Sequence, residues 1–212
     1  MLKKCVIAVL ILSGLLLVLS PFIKESIIIN LSKNAGWSEL TAGEARKNNE
    51  QKASFNFDAI QPPSFFDTIQ AGIGREPKAV IGRITISSVG IRLPILKGTT
   101  NENLIFGATT MRPDQQMGEC NYPLAGHHMR RESLLFGPLL NIKKGDTIVI
   151  TDFKKDYIYT VTSKKIISEM DSDVIDETKE KVITLITCDK PERTKGRLAV
   201  KGKLIHTAVH LE

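Results

Sequence analysis

Cysteine is scarce in this sequence: Cys5, Cys120 and Cys188 are the only three in 212 residues. A small exported domain stapled by disulfides would carry more, and thiol redox chemistry lacks its Cys-x-x-Cys pair. Only Cys120 and Cys188 lie outside the apolar N-terminal run, so at most one external bridge could form. Histidine is also sparse, at four residues, and no third and fourth ligands stand at zinc spacings around them. Internal repeats and low-complexity tracts are absent. The net charge of +6 is not gathered into a basic stripe with aromatics, which argues against a nucleic-acid partner. So mild an excess suits an anionic surface such as a cell wall or lipid head groups.

Charge is missing altogether from Cys5 to Ile23, "CVIAVLILSGLLLVLSPFI". The 19 residues match the length needed to cross a bilayer as a helix. Lys3 and Lys4 precede the run, which keeps residues 1–23 as a cytoplasmic tip and transmembrane signal-anchor by the positive-inside rule. A cleaved signal peptide is the rival reading, but the run is long and "SPFIKES" offers no clear small-x-small site. On either reading the rest of the chain is extracellular. As an anchored chain it is a single-pass protein of the cell membrane.

Residues 24–53 are polar and mixed in charge and read as a partly helical spacer. Residues 54–76 form a Phe-rich appendage with Phe55, Phe57, Phe65 and Phe66, four of the chain's eight. Pro62-Pro63 breaks the chain direction there, and Ser64 with Asp67 is a capping box opening a short helix. A flexible tether does not carry that many aromatics, so this segment should dock on something. It could pack on the flank of the following domain, or lie near its active groove and slow substrate entry.

Residues 77–212 change texture to short runs rich in Val, Ile and Thr, separated by Gly, Asn, Asp and Pro. Strands are expected at 79–86, 91–96, 104–110, 122–128, 147–152, 157–167, 182–188 and 197–205. Short helices are expected near Asn101 to Leu104 and Ser133 to Leu140. The class is mostly β, an eight-stranded barrel with short helices behind an N-terminal transmembrane helix.

Cys188 ends the run "VITLITC", which is apolar on both faces and so central in a sheet. A strand end beside a loop can both hold and expose a reactive group. A thiol there serves as a nucleophile when a cation or imidazolium favours its thiolate, and otherwise as a small buried hydrophobe. His206 and His210 lie near the C-terminus and read as solvated. His127 and His128 are adjacent in "PLAGHHM"; strand alternation turns one toward the site and leaves open which. Arg197 begins the next strand and returns to the Cys188 end if the two strands are antiparallel neighbours. Its guanidinium could bind a carbonyl, stabilise an oxyanion or favour the thiolate. Arg193 reads as a solvated loop charge.

"TLITC", "LAGHH" and "GRLAVKGKL" resemble the cysteine, histidine and arginine motifs of the sortases, the Gram-positive cell-wall transpeptidases, in the same order and behind the same kind of anchor. The resemblance runs from about Lys78 to the C-terminus and takes in "IGRITISSVGIRLPI", "ENLIFGATTM", "LLFGPL" and "IKKGD". It is strongest to class A, the housekeeping type, in its Bacillus and Listeria forms. The resemblance implies a catalytic set of Cys188, His127 and Arg197, and so selects His127 over His128. It puts Thr187, Ala125, Val174 and Ile175 along the substrate groove. It further implies LPXTG-bearing surface proteins as substrates, cut between Thr and Gly through a thioacyl intermediate. The resolving partner would be a peptidoglycan-precursor amine of the lipid II type.

Some members of the family bind calcium through acids in the loop before the histidine strand. Here that loop offers only Asp114 and Glu119, with Asp171, Asp173 and Glu177 in another loop. Hard cations want six or more oxygens, so calcium independence, and no cofactor, is expected. Cys120 has no role in the pattern. Two alternatives are a pilus-polymerising sortase, disfavoured because no second apolar span follows the barrel, and a wall-associated barrel that only binds.

Overall fold

The computed structural model describes residues 2–33, 40–72 and 80–211. The parts of the expected spacer and appendage at 34–39 and 73–76, and Ala79 of the first expected strand, lie outside the described residues.

Eight strands close a barrel in the order β1-β2-β3-β4-β7-β8-β6-β5. They are β1 Val80–Ile86, β2 Ile91–Leu96, β3 Ala108–Thr110, β4 Asn121–Ala125, β5 Thr147–Thr151, β6 Lys155–Ser168, β7 Val182–Cys188 and β8 Gly196–Val209. Neighbours are antiparallel except β2 with β3 and β4 with β7, which are parallel. The interior is filled by alternate residues of each strand, among them Ile84, Tyr122, Leu124, Tyr159, Ile183, Leu185 and Val200, all at most 1% exposed.

Two expected strands are shorter than the apolar pattern suggests. Leu104, Ile105 and Phe106 are buried on a helix, α4 (Asn101–Phe106), whose N-terminus is capped by the Thr100 side chain. A short buried helix and a buried strand present the same apolar run, and the cap is what decides between them. β4 stops at Ala125, so His127 and His128 lie past its end in a loop. The second expected short helix is a 3-10 turn at Gly137–Asn141.

Ahead of the barrel stand α1 (Leu2–Lys33), α2 (Ala42–Asn49) and α3 (Phe65–Gly72). α1 is exposed through its apolar run, with Leu17 at 75% and Phe22 at 65%, then turns inward, with Ile28 at 0% and part of the core. The start of the expected spacer is therefore a packed helix and not a loose tether. Ser64 and Asp67 exchange hydrogen bonds at the head of α3, at 3.0 and 3.1 Å, as the capping box requires. The segment between α2 and α3 runs along the barrel flank, where Asn101 bonds Gln61 and Ala59.

Candidate active site

β7 holds the centre of the site. Its pairing with β4 aligns Pro123 with Thr184 and Ala125 with Ile186, and Tyr122 with Leu124 points into the core. Alternation then puts Ala125, Ile186 and Cys188 together on the outer face. On the other edge of β7, Cys188 lies directly opposite Arg197 across the antiparallel β8. The neighbour relation on which Arg197 depended is thus present.

Beyond β4 the chain keeps to the side of β7. Gly126 N–H donates to Ile186 O at 3.1 Å, and His128 Nδ1 lies 2.9 Å from Cys188 O. A carbonyl only accepts, so His128 Nδ1 is the donor and its ring clamps the end of the cysteine strand. Gly126 has to be glycine, because a Cβ would sit 2.5 Å from the Phe136 ring. Phe136 in turn donates its N–H to His127 O at 3.0 Å and is fully buried. These contacts fix His127 one residue from a ring that touches the Cys188 backbone.

The electrostatics of the two candidates are opposite. Burial holds the His127 imidazole down at about 4, and the Lys24 ammonium pushes the same way. Burial pushes the Cys188 thiol above its ordinary 9.0; Arg197 opposes the rise, and Asp189 and Glu169 add to it. Thiol and imidazole are therefore both neutral near pH 7. Arg197 is itself engaged: Nη2 meets Glu169 Oε2 at 2.9 Å, and Nη1 donates to Thr194 O and Gly196 O at 2.6 and 2.9 Å.

Buried polar side chains almost always find partners. Among the described residues the buried side-chain atoms without one are His127 Nε2, His128 Nε2, Thr187 Oγ1 and Asp189 Oδ1. All four belong to this one corner of the barrel, which is where a polar ligand is wanted.

Of the residues expected along the groove, Ala125 lies on the same face as Cys188, while Val174 and Ile175 belong to a 3-10 turn, Ser172–Ile175. The turn is pinned by Asn121, which the sequence did not single out. Buried to 1%, Asn121 donates to Val174 O and Asp176 O at 3.0 and 2.9 Å and accepts from Thr184 Oγ1 at 2.7 Å. Thr187 is not brought to that face. It pairs with the core residue Leu198 and is 3% exposed, so alternation turns it inward.

Arg112 was likewise not anticipated. Its guanidinium meets Asp114 at 3.3 Å, Glu177 at 3.8 Å and Ile175 O at 3.5 Å, joining the loop before β4 to the loop before β7. Cys120 and Cys188 are both free thiols. His210, expected in solvent, instead lies 2.7 Å from Asp156 and stacks edge-on against Phe153.

A closed β-barrel with a cysteine, a histidine and an arginine at one strand end is the architecture of a thiol acyl-transfer enzyme. The family model for the sortase domain matches residues 84–205, and the chain belongs to the sortase family of cysteine transpeptidases. It is 48% identical over 207 residues to sortase A of Listeria monocytogenes, covering 98% of this chain and 93% of that one. The solved structure of Listeria monocytogenes sortase A is similar with a TM-score of 0.63 and 54% identity, over 63% of this chain and 92% of that one. A Clostridium perfringens sortase C, solved with the C-terminal cell wall sorting motif, shares the fold at a TM-score of 0.56 and 24% identity, over 78% of this chain and 89% of that one.

Proposed function

We propose that this chain is a membrane-anchored class A transpeptidase that cuts LPXTG-type sorting signals between Thr and Gly and joins the new carboxyl end to a peptidoglycan-precursor amine. The supporting observation is the strand register that sets Cys188 opposite Arg197, with the His127–His128 loop clamped to the same strand end.

In this reading the sulfur of Cys188 attacks the Thr–Gly carbonyl while His127 takes the thiol proton. Arg197 leaves Glu169 and meets the carbonyl oxygen as negative charge develops there. The tetrahedral intermediate collapses as His127 passes its proton to the departing glycine amine, leaving a thioester on Cys188. The acceptor amine adds to the thioester and loses a proton to His127. Cys188 leaves as thiol, taking that proton back, and the surface protein is bonded to the precursor. A pair that starts neutral is suited to this cycle, since one proton shuttles and none is exchanged with solvent.

Ala125, Val174 and Ile175 line the groove for the signal's apolar residues. Thr187 lies beneath that surface, its buried hydroxyl without a partner in the structure. The reaction takes no cofactor. In favour of this, Arg112 already supplies the positive charge between the acids of the two groove loops. Residues 1–23 form the cytoplasmic tip and anchor; the apolar exposed α1 supports a single crossing, and Lys3 with Lys4 before it favours the barrel outside. Residues 24–53 and 54–76 connect anchor to barrel, and 77–212 is the catalytic unit.

The test is mass spectrometry of the chain incubated with an LPXTG peptide and hydroxylamine, beside Cys188→Ala. A Thr hydroxamate that disappears in the variant is expected. An intact peptide under conditions where the barrel is folded would refute the reading.

A further inference from the structure

The Phe-rich segment calls for a surface to dock on, and barrel contacts account for only part of it. Phe66, on α3, is 80% exposed and stacks edge-on against Phe65. Its position along α1 supplies the missing surface. The apolar run Cys5–Ile23 rises about 28 Å as a helix, close to the hydrocarbon thickness of a bilayer. α1 continues unbroken to Lys33, so Lys24 and Glu25 emerge at head-group level on the outer side. Two distant segments are tied to that turn. Lys24 Nζ donates to Pro63 O at 3.2 Å, and Arg131 N–H donates to Glu25 Oε1 at 3.3 Å.

These two bonds fix the level of everything near them. Phe66 is three residues past Pro63 and so within roughly 11 Å of it along the chain. Arg130 and Arg131 are both exposed, and among the described residues neither guanidinium has an ion pair. His127 and His128 precede them in the chain, separated only by Met129.

Resting on the anchored reading above, we propose that Phe66, Arg130 and Arg131 form a membrane-docking surface. Phe66 inserts among the head groups and the two arginines bind anionic lipid phosphates, which holds the His127 loop at the bilayer surface. An exposed aromatic and exposed cations tied to the same turn of an anchor helix are the side-chain chemistry that seats on an anionic interface. The consequence is a preference for acceptor amines borne on lipid, since the reactive corner is held where such an amine would sit.

The experiment uses the full chain in vesicles of equal parts phosphatidylcholine and phosphatidylglycerol with bromine-substituted acyl chains. Phe66→Trp supplies the reporting indole, with the unsubstituted chain as baseline. Bromolipid should quench that indole strongly, and adding Arg130→Glu with Arg131→Glu should remove the quenching. Transfer from a sorting peptide to an amine on a lipid head group should fall about tenfold in Phe66→Ser/Arg130→Glu/Arg131→Glu. Transfer to soluble hydroxylamine should stay within about twofold. A chain that does not float with the vesicles overturns the anchor and the docking together. A chain that floats with an unquenched indole, or that loses both transfers equally, overturns the docking alone.

Discussion

Alkylation of Cys188 tests the resting state of the site directly, because iodoacetamide reacts with the thiolate and not the thiol. A thiol at its ordinary 9.0 is about one part in a hundred ionised at pH 7, and burial leaves Cys188 below that. The rate at pH 7 should therefore be less than about a hundredth of its alkaline plateau, rising tenfold per pH unit up to it. His127, at about 4, should carry a proton in only about one molecule in a thousand at pH 7. The neighbours give the signs for two variants. Arg197 lowers the thiol and Glu169 raises it, so Arg197→Ala should slow neutral-pH alkylation and Glu169→Gln should speed it. The assay is peptide-resolved mass spectrometry, which separates Cys188 from Cys5 and Cys120, alongside imidazole nitrogen shifts by NMR. An alkylation plateau already reached at pH 7, or a His127 midpoint at or above 6.5, would refute the neutral pair.

Three further outcomes follow from the packing. Asn121→Ala removes the ties to Val174 and Asp176 and strands the Thr184 hydroxyl, at about 2–3 kcal/mol of stability; KM for the sorting peptide should rise more than kcat falls. Gly126→Ala drives a methyl into the Phe136 ring, which should destabilise the fold by about 1–3 kcal/mol and loosen the histidine loop, read as a lower Tm with reduced turnover. Acid should weaken the fold through His127, whose folded value of about 4 lies below its ordinary 6.5. The unfolded chain then binds the proton first, so stability is full above about 6.5 and falls by about 3 kcal/mol as pH drops to 4. Chemical denaturation at both pH values should show that loss in the parent chain and not in His127→Ala.

The strands that carry the site were legible because each is a run of one texture bounded by turn residues. β7 reads as central from apolar residues on both faces, and it does pair on both edges. Helix α4 was half hidden, since Leu104, Ile105 and Phe106 look the same on a strand, and only Thr100 marks the helix start. The histidine pair escaped strand logic because β4 ends at Ala125, just before a glycine whose missing Cβ leaves room for the Phe136 ring. Asn121, Arg112 and Glu169 carried no local signal at all. Each acts on a partner at least 28 residues away, and only the barrel's closure brings them there. The Phe-rich segment announced a surface but not which one.

Two adjacent histidines could not share one task in this arrangement, and the backbone divides them. His128 spends Nδ1 on the carbonyl of Cys188, a bond that holds the strand end and keeps its ring in place. His127 is free of that duty: its carbonyl anchors Phe136, while its imidazole is buried, neutral and unpartnered at Nε2. The proton shuttle proposed for His127 needs a ring that is held by its backbone and left open at its nitrogen. Arg197 is the reverse case, with its charge occupied by Glu169 in the structure and turned to a carbonyl only in the proposed reaction. The corner thus rests with Cys188 protonated, His127 neutral and Arg197 paired. In the proposed reaction each of the three changes state before a thioester forms, and a peptide seated over the Ala125–Ile186 pair would make those changes favourable together.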